Sequence, residues 1–536
     1  MTEGAARSRA ARLDALGAWL GSAAGWPAIL AALGVSALVF LIPIVAVHGV
    51  YVSTMPHDSV SMADIGYRMV MGQVPGRDFH SAFGVLFQWQ MGLSFLIGRT
   101  VSGTLKTSAV VFVIAVAPFV AYLARTRLSN LGALVVSTAV ILTAAVPYAE
   151  AYSDNAGATF AMLYNREGWV LLLLALLHWA SPRRPPAAWA DGLSLGLLIA
   201  GCVYFKISYG GLALAFCGLW ACLQPKARPA ALIALVVLAA FAVLLEAIYG
   251  LGFNLAYLAD IRTAAQAGGN RLVHIAVNLI FARDELLVAL LLIPLAAWGR
   301  LNAVALRDWA FILFCAAASL LVVWQNAQLE GLLGLWAAVA LVVETPLAEG
   351  GLDLDRVWRG LLIYAAWACL TLTPNLMALG QYLVGGLTVR PLDPMLPMVA
   401  DFRFATPRED KRIHGAGQVY GDEYAAQLKD GIQLLADCPR STSVVTLDLF
   451  EPFTVLDRRA PNHTWTWQHF GHSFTEKAHL APEAEFRGAD CIMVPHQPLE
   501  PHSAQALLQV YGPYMKTHFG LLRSTADWDL WRRTAR

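Results

Sequence analysis

The chain has 536 residues, 57% of them hydrophobic and only 14% charged, with a formal net charge of +1. A soluble globular protein carries about 25% charged residues, so a chain this apolar cannot cover a water-facing surface of its own size. The near-neutral balance, without a basic stripe, argues against a nucleic-acid partner.

The charge deficit is uneven. Residues 28–384 are apolar runs separated by short polar joints, whereas from residue 385 onward charged side chains become dense and eight of the 13 histidines appear. We therefore expect a cytoplasmic segment over 1–27, a transmembrane domain over 28–384 and a soluble domain over 385–536. A helix needs about 20 apolar residues to span the hydrocarbon. Spans are predicted at 28–50, 105–124, 130–148, 167–180, 191–208, 210–223, 230–250, 285–299, 308–324, 331–345 and 359–379, about eleven crossings.

Arg7, Arg9 and Arg12 precede the first span with no small-residue cleavage site, which reads as a retained anchor with a cytoplasmic N-terminus. The basic joints Arg125/Arg127, Arg183/Arg184, Lys226/Arg228, Arg300/Arg307 and Arg356/Arg359 fall on that same side if residues 84–98 dip into the membrane and return. Loops 51–84, 149–166 and 251–284 then face outside, and so does the C-terminal domain.

The first outer loop reads Pro56-His57-Asp58-Ser59 and places Asp58 just beyond the first span. A carboxylate there is either a solvated loop charge or a group that takes a proton from an incoming hydroxyl. Gly72 and Gly76 flank Pro75, which breaks a helix and turns Arg77 and Asp78 back towards the same region. The second outer loop supplies Glu150, Asp154 and Asn155. Tyr164, Asn165 and Arg166 open the next span; the planar fork of Arg166 suits two phosphate oxygens or serves as an interfacial anchor. Lys206 ends an apolar span, where a lysine faces a polar partner such as a phosphate or snorkels to the surface.

In the last domain, helical periodicity over 418–437, strands at 443–450 and 490–495, a helix at 502–511 stopped by Gly512-Pro513 and a terminal hairpin predict a small α/β unit. Residues 462–472 hold three histidines and two tryptophans at no recognised ligand spacing and read as an edge strand with exposed polar residues. Five of the seven cysteines lie in apolar segments; Cys438 and Cys491 can pair if this domain faces an oxidising compartment.

Asp58, Gly72, Pro75, Arg77-Asp78-Phe79 and Phe83-Gly84-Val85-Leu86, in that order, resemble the first outer loop of GT-C glycosyltransferases. Three departures are Ser59 where an acidic residue is common, Gly76 for a tyrosine and Val85 for a proline. The resemblance implies a polytopic α-helical GT-C-like membrane protein with an extracytoplasmic α/β domain that covers the site or helps hold the acceptor. It implies a polyprenyl-phosphate sugar donor, a glycan or lipid acceptor, contact with membrane lipids, and no cofactor beyond a divalent cation, which it leaves open. Asp58 takes the place of the base and Asp154 that of a second acidic group. Arg166, Lys206, Arg77, Asp78, Tyr164 and Asn165 would line the substrate site. Composition suggests a bacterial inner-membrane protein. The alternatives are a flippase or transporter of lipid-linked sugars, or a surface-polysaccharide polymerase or ligase.

Overall fold

Capped apolar runs make most of this chain helical. The structure, a computed structural model, describes residues 3–52, 55–149, 158–267, 305–326, 333–349, 354–389, 396–404 and 421–534. In chain order the helices are α1 (Glu3–Gly21), α2 (Trp26–Ala46), α3 (Pro56–Val70), α4 (Val85–Gly98), α5 (Val101–Arg127), α6 (Asn130–Ala145), α7 (Leu163–Leu176), α8 (Ala188–Phe205), α9 (Ile207–Leu223), α10 (Arg228–Tyr249), α11 (Phe253–Ala267), α12 (Leu306–Asn326), α13 (Leu333–Glu349) and α14 (Leu354–Thr388). Local chemistry sets their ends. Thr100 and Ser129 cap α5 and α6 by accepting the N–H groups of Gly103 and Gly132, the role of a short hydroxyl side chain at a helix start.

Among the described residues, five stretches are long and apolar enough to cross a membrane: Trp26–Ala46, Val101–Arg127, Ala188–Phe205, Pro225–Tyr249 and Leu354–Thr388. Their outer faces carry exposed Leu30, Leu38, Leu232, Val236, Val243 and Leu362, an apolar surface suited to lipid. The span expected at 285–299 lies outside the described residues. The segment expected to dip and return is α4. Its 14 residues cover about 21 Å at the helical rise, the same length as α7. It reverses into α5 at Arg99, whose φ of 59° is left-handed.

Several basic joints gather at one end of the bundle. Arg127 Nη2 donates to Asp191 Oδ2 at 2.7 Å, and Arg183 pairs with Glu344 at 3.0 Å. Arg184 and Arg125 both donate to the Ala24 carbonyl, at 2.5 and 3.0 Å. The 18 residues of α8 start at that end and rise about 27 Å, so Lys206, which follows α8, lies at the opposite end.

The last domain joins the bundle through β1 (Val50–Val52), which pairs in parallel with β2 (Phe402–Phe404). Beyond them come α15 (Gly421–Leu434), β3 (Ser443–Thr446), β4 (Ala489–Pro495), α16 (Pro501–His518), β5 (Phe519–Ser524) and β6 (Trp528–Arg533). The sheet order is β3-β4-β6-β5, with β3 and β4 parallel and the remaining pairs antiparallel. The two-residue period of a strand divides it between two cores. Val444 and Met493 share a core with Leu428 of α15 and with the membrane bundle. Val445 and Ile492 pack with Leu507, Tyr511 and Met515 of α16.

That helix corrects the expected stop at Gly512-Pro513, because α16 continues to His518. Pro513 removes one backbone donor, but ending the helix there would expose Met515, buried beside Tyr511, Phe486 and Phe519. Burial of such side chains outweighs one lost bond. A disulfide joins Cys438 to Cys491, tying the end of α15 to β4.

Residues 462–472 also differ from the expected exposed edge strand. Asn462, Thr464, Trp465, Thr466 and Gln468 are buried. The segment lies on the 51–84 loop: His80 N–H donates to the Thr464 carbonyl and Thr466 N–H to the His80 carbonyl, at 3.2 and 3.0 Å. Tertiary burial there takes precedence over local polarity.

Candidate functional site

The site begins at the break between α8 and α9. Lys206 is extended (φ −157°, ψ 121°), so the two helices form a hairpin with this residue at its apex. Gly84 N–H caps the end of α8 by donating to the Phe205 carbonyl at 2.8 Å. The chain at Phe83-Gly84 thus crosses the apex. No other residue fits at position 84, because a Cβ there would overlap the Tyr204 carbonyl.

Lys206 Nζ donates to Asn165 Oδ1 at 2.9 Å and lies 5.0 Å from the centre of the Tyr164 ring, a cation–π distance. Tyr209 O–H donates to the Asn165 carbonyl at 2.9 Å. Phe83 packs on Tyr164 with ring centres 4.1 Å apart. Asp58, in the first turn of α3, approaches the same tyrosine closely enough for its charge to act on the phenol. Lys206 thus contacts the ring directly, and the charge of Asp58 acts on the same ring. The N-terminal ends of α3, α4, α7 and α9 meet at this point, through Asp58, Phe83-Gly84, Tyr164-Asn165 and Lys206. Helix N-termini carry partial positive charge and unpaired N–H groups, which favour an anion.

The C-terminal domain forms the roof. His57 Nε2 lies 3.6 Å from Asp58 Oδ1. The His57 ring packs on Phe450 at 5.4 Å and meets Tyr424 edge-on at 6.4 Å. Burial pushes the His57 pKa down to about 4, so the imidazole is neutral at physiological pH. Behind Tyr424, burial pushes the Asp448 carboxyl up to about 7 although its oxygens accept the Leu449 and Leu499 N–H groups.

The other expected site residues separate. Arg166 is buried and donates to the Thr143 carbonyl at 2.5 Å. Two residues beyond Tyr164 on a helix, it is turned about 200° away, so it faces the bundle and not the Lys206 apex. Glu167, beside it, accepts from Gln90 at 2.5 Å. Arg77 and Asp78 pair with each other at 2.8 Å, with Arg77 largely exposed. The Arg77 hydrogen bond holds the Asp78 carboxyl below its ordinary range, assisted by the Val74 N–H. Asp154 and Glu150 lie outside the described residues. His57, Tyr424 and Phe450 were not singled out as site residues. A histidine directly before Asp58 was a usable sign; nothing local marks Tyr424 and Phe450, which are remote in sequence.

Among the described residues, no three His, Cys, Asp or Glu side chains converge as a metal-binding set. No family model, curated protein or solved structure matches the chain.

Proposed function

We propose that this chain is a GT-C-type glycosyltransferase of about eleven crossings, acting at the outer face of a bacterial inner membrane. It transfers a sugar from a polyprenyl-phosphate donor to a hydroxyl of a glycan or lipid acceptor. One observation carries the reading: the Tyr164 ring that Lys206 contacts also feels the charge of Asp58, a carboxylate and a lysine acting on one residue at a helix start.

Asp58 takes the proton of the acceptor hydroxyl as its oxygen bonds to the anomeric carbon. The bond from that carbon to the phosphate oxygen breaks, and its electron pair stays on the phosphate. Lys206 and the nearby helix N-termini offset that charge. Direct displacement inverts the anomeric centre. The phosphate grip rests on Lys206, because Arg166 is engaged inside the bundle. The Cys438–Cys491 disulfide supports an oxidising, extracytoplasmic location for the last domain.

The test is a transfer assay on the purified protein in lipid, with a panel of polyprenyl-phosphate sugars read by mass spectrometry. A glycosylated acceptor with release of polyprenyl phosphate is the expected result. Movement of the donor between leaflets without transfer would make the chain a flippase instead.

A further inference from the structure

The chain leaves α10 through a fixed reversal. Gly250 and Gly252 have φ of 101° and 93°, values that glycine adopts readily and other residues do not. Glu246 holds the turn by accepting the N–H groups of Gly252, Phe253 and Asn254. Asn254 Nδ2 donates to the Ala242 carbonyl at 3.1 Å, so α11 starts level with a point about two turns before the end of α10.

From there α11 crosses the end of α8. Tyr204 O–H donates to Asn254 Oδ1 at 2.6 Å, and Tyr257 O–H donates to the Val203 carbonyl at 2.9 Å. One turn farther on, Asp260 accepts the Ser81 N–H at 3.2 Å and pairs with His80 at 2.8 Å. Residues 203–205 are the last of α8, so α11 lies beside the Lys206 apex. Phe253, Tyr257 and Asp260 form its buried face.

The opposite face is open. Leu251, Leu255 and Leu258 are 98%, 72% and 50% exposed, and Arg262 is exposed one turn later. Spacings of four, three and four residues put the four side chains on one side of the helix. Over its last two turns α10 exposes Val243, Leu244 and Ile248, and α10 belongs to a stretch long and apolar enough to cross a membrane. The leucine stripe therefore continues, at the same level, the apolar surface that α10 offers to lipid. A leucine stripe that ends in an arginine suits the boundary between acyl chains and headgroups. The arginine stem lies along apolar surface while its guanidinium reaches phosphate oxygens.

We propose that α11 is an interfacial helix beside the Lys206 apex, with Leu251, Leu255 and Leu258 among the acyl chains and Arg262 at the phospholipid phosphates. Its partner is the bilayer itself. Tyr257 grips α8 from one face while the leucines grip lipid from the other, and this holds the Lys206 apex at the headgroup level. The inference requires a membrane-embedded bundle and no particular reaction at Asp58.

The test is a depth measurement on full-length protein in lipid. Single spin labels are placed on Leu255→Cys, Leu258→Cys or Arg262→Cys, with the exposed Cys222 and Cys369 replaced by serine. Collision with oxygen, which concentrates among acyl chains, is compared with collision with a water-soluble nickel chelate. Val243→Cys on α10 and Leu522→Cys in the C-terminal domain, both exposed, mark lipid and water. Leu255→Cys and Leu258→Cys should read about 5–10 Å below the phosphates, with Arg262→Cys shallower than both. Nickel collision at 255 and 258 equal to that at 522 would place the stripe in water and overturn the proposal. Shielding from both reagents would also overturn it, because a partner protein or a second copy would then cover the leucines. A label at 262 as deep as those at 255 and 258 would contradict the placement of Arg262. Leu251→Cys, at the open turn, replaces whichever leucine variant is not recovered.

Discussion

The backbone N–H of Gly84 donates to the carbonyl of Phe205 at 2.8 Å, and this bond holds the 51–84 loop against the apex where Lys206 sits. A side chain at position 84 would collide with the Tyr204 backbone. Gly84→Ala should lower stability by about 1 to 3 kcal/mol, seen as a lower thermal midpoint in detergent. Gly211→Ala in α9, which has open space around it, should unfold at or above the wild-type temperature. Equal midpoints for Gly84→Ala and wild type would show that the loop does not cross the apex as described.

Lys206 is the cation assigned to the leaving phosphate. Lys206→Met keeps the stem and removes the charge, so transfer should fall by about 100-fold or more. Lys206→Arg should recover part of the loss, since the charge returns in a different shape. Steady-state rates with a polyprenyl-phosphate sugar check this, and an unaltered Lys206→Met rate would remove the residue from the mechanism.

Much of the helical framework was legible in the sequence, because a long apolar run reads as a helix without tertiary knowledge, although only five of the described helices are long and apolar enough to cross a membrane. Asp58 and Lys206 stood out for the same reason: a charge beside an apolar span demands a partner. Tyr164 and Asn165 followed from their place at a helix start. Arg166 misled because residue type gives no facing; only the helical turn places it against Thr143. Tyr424 and Phe450 reach His57 from the far end of the chain, a relationship that no local pattern encodes. The buried state of residues 462–468 was hidden likewise, since it depends on packing against the 51–84 loop and the rest of the C-terminal domain.

Arg68 lies one helical turn after Asp64, a spacing worth little on an exposed helix. In the fold it is fully buried and binds both Asp64 and Asn462. Arg68→Ala should cost about 3 to 5 kcal/mol, because it strands a buried carboxylate. Limited proteolysis should then cut within residues 462–468, which the wild type protects; undiminished protection would contradict the docking role.

The Cys438–Cys491 bond closes 53 residues of chain, and the chain-entropy argument assigns such a loop about 4 kcal/mol at most. Cys438→Ser should therefore destabilise the last domain and leave Cys491 as a thiol. Alkylation of unreduced, denatured wild-type protein should leave both positions unlabelled by mass spectrometry. Labelling of both would mean that the domain is reduced where it is made.

The most direct measurement is the transfer rate of purified Asp58→Asn in lipid with a polyprenyl-phosphate sugar that the wild type accepts. Asparagine preserves size and polarity but cannot accept the acceptor's proton, so turnover should drop by about 100-fold or more while the thermal midpoint stays near the wild-type value. A folded Asp58→Asn protein that transfers sugar at the wild-type rate would contradict the account at its centre.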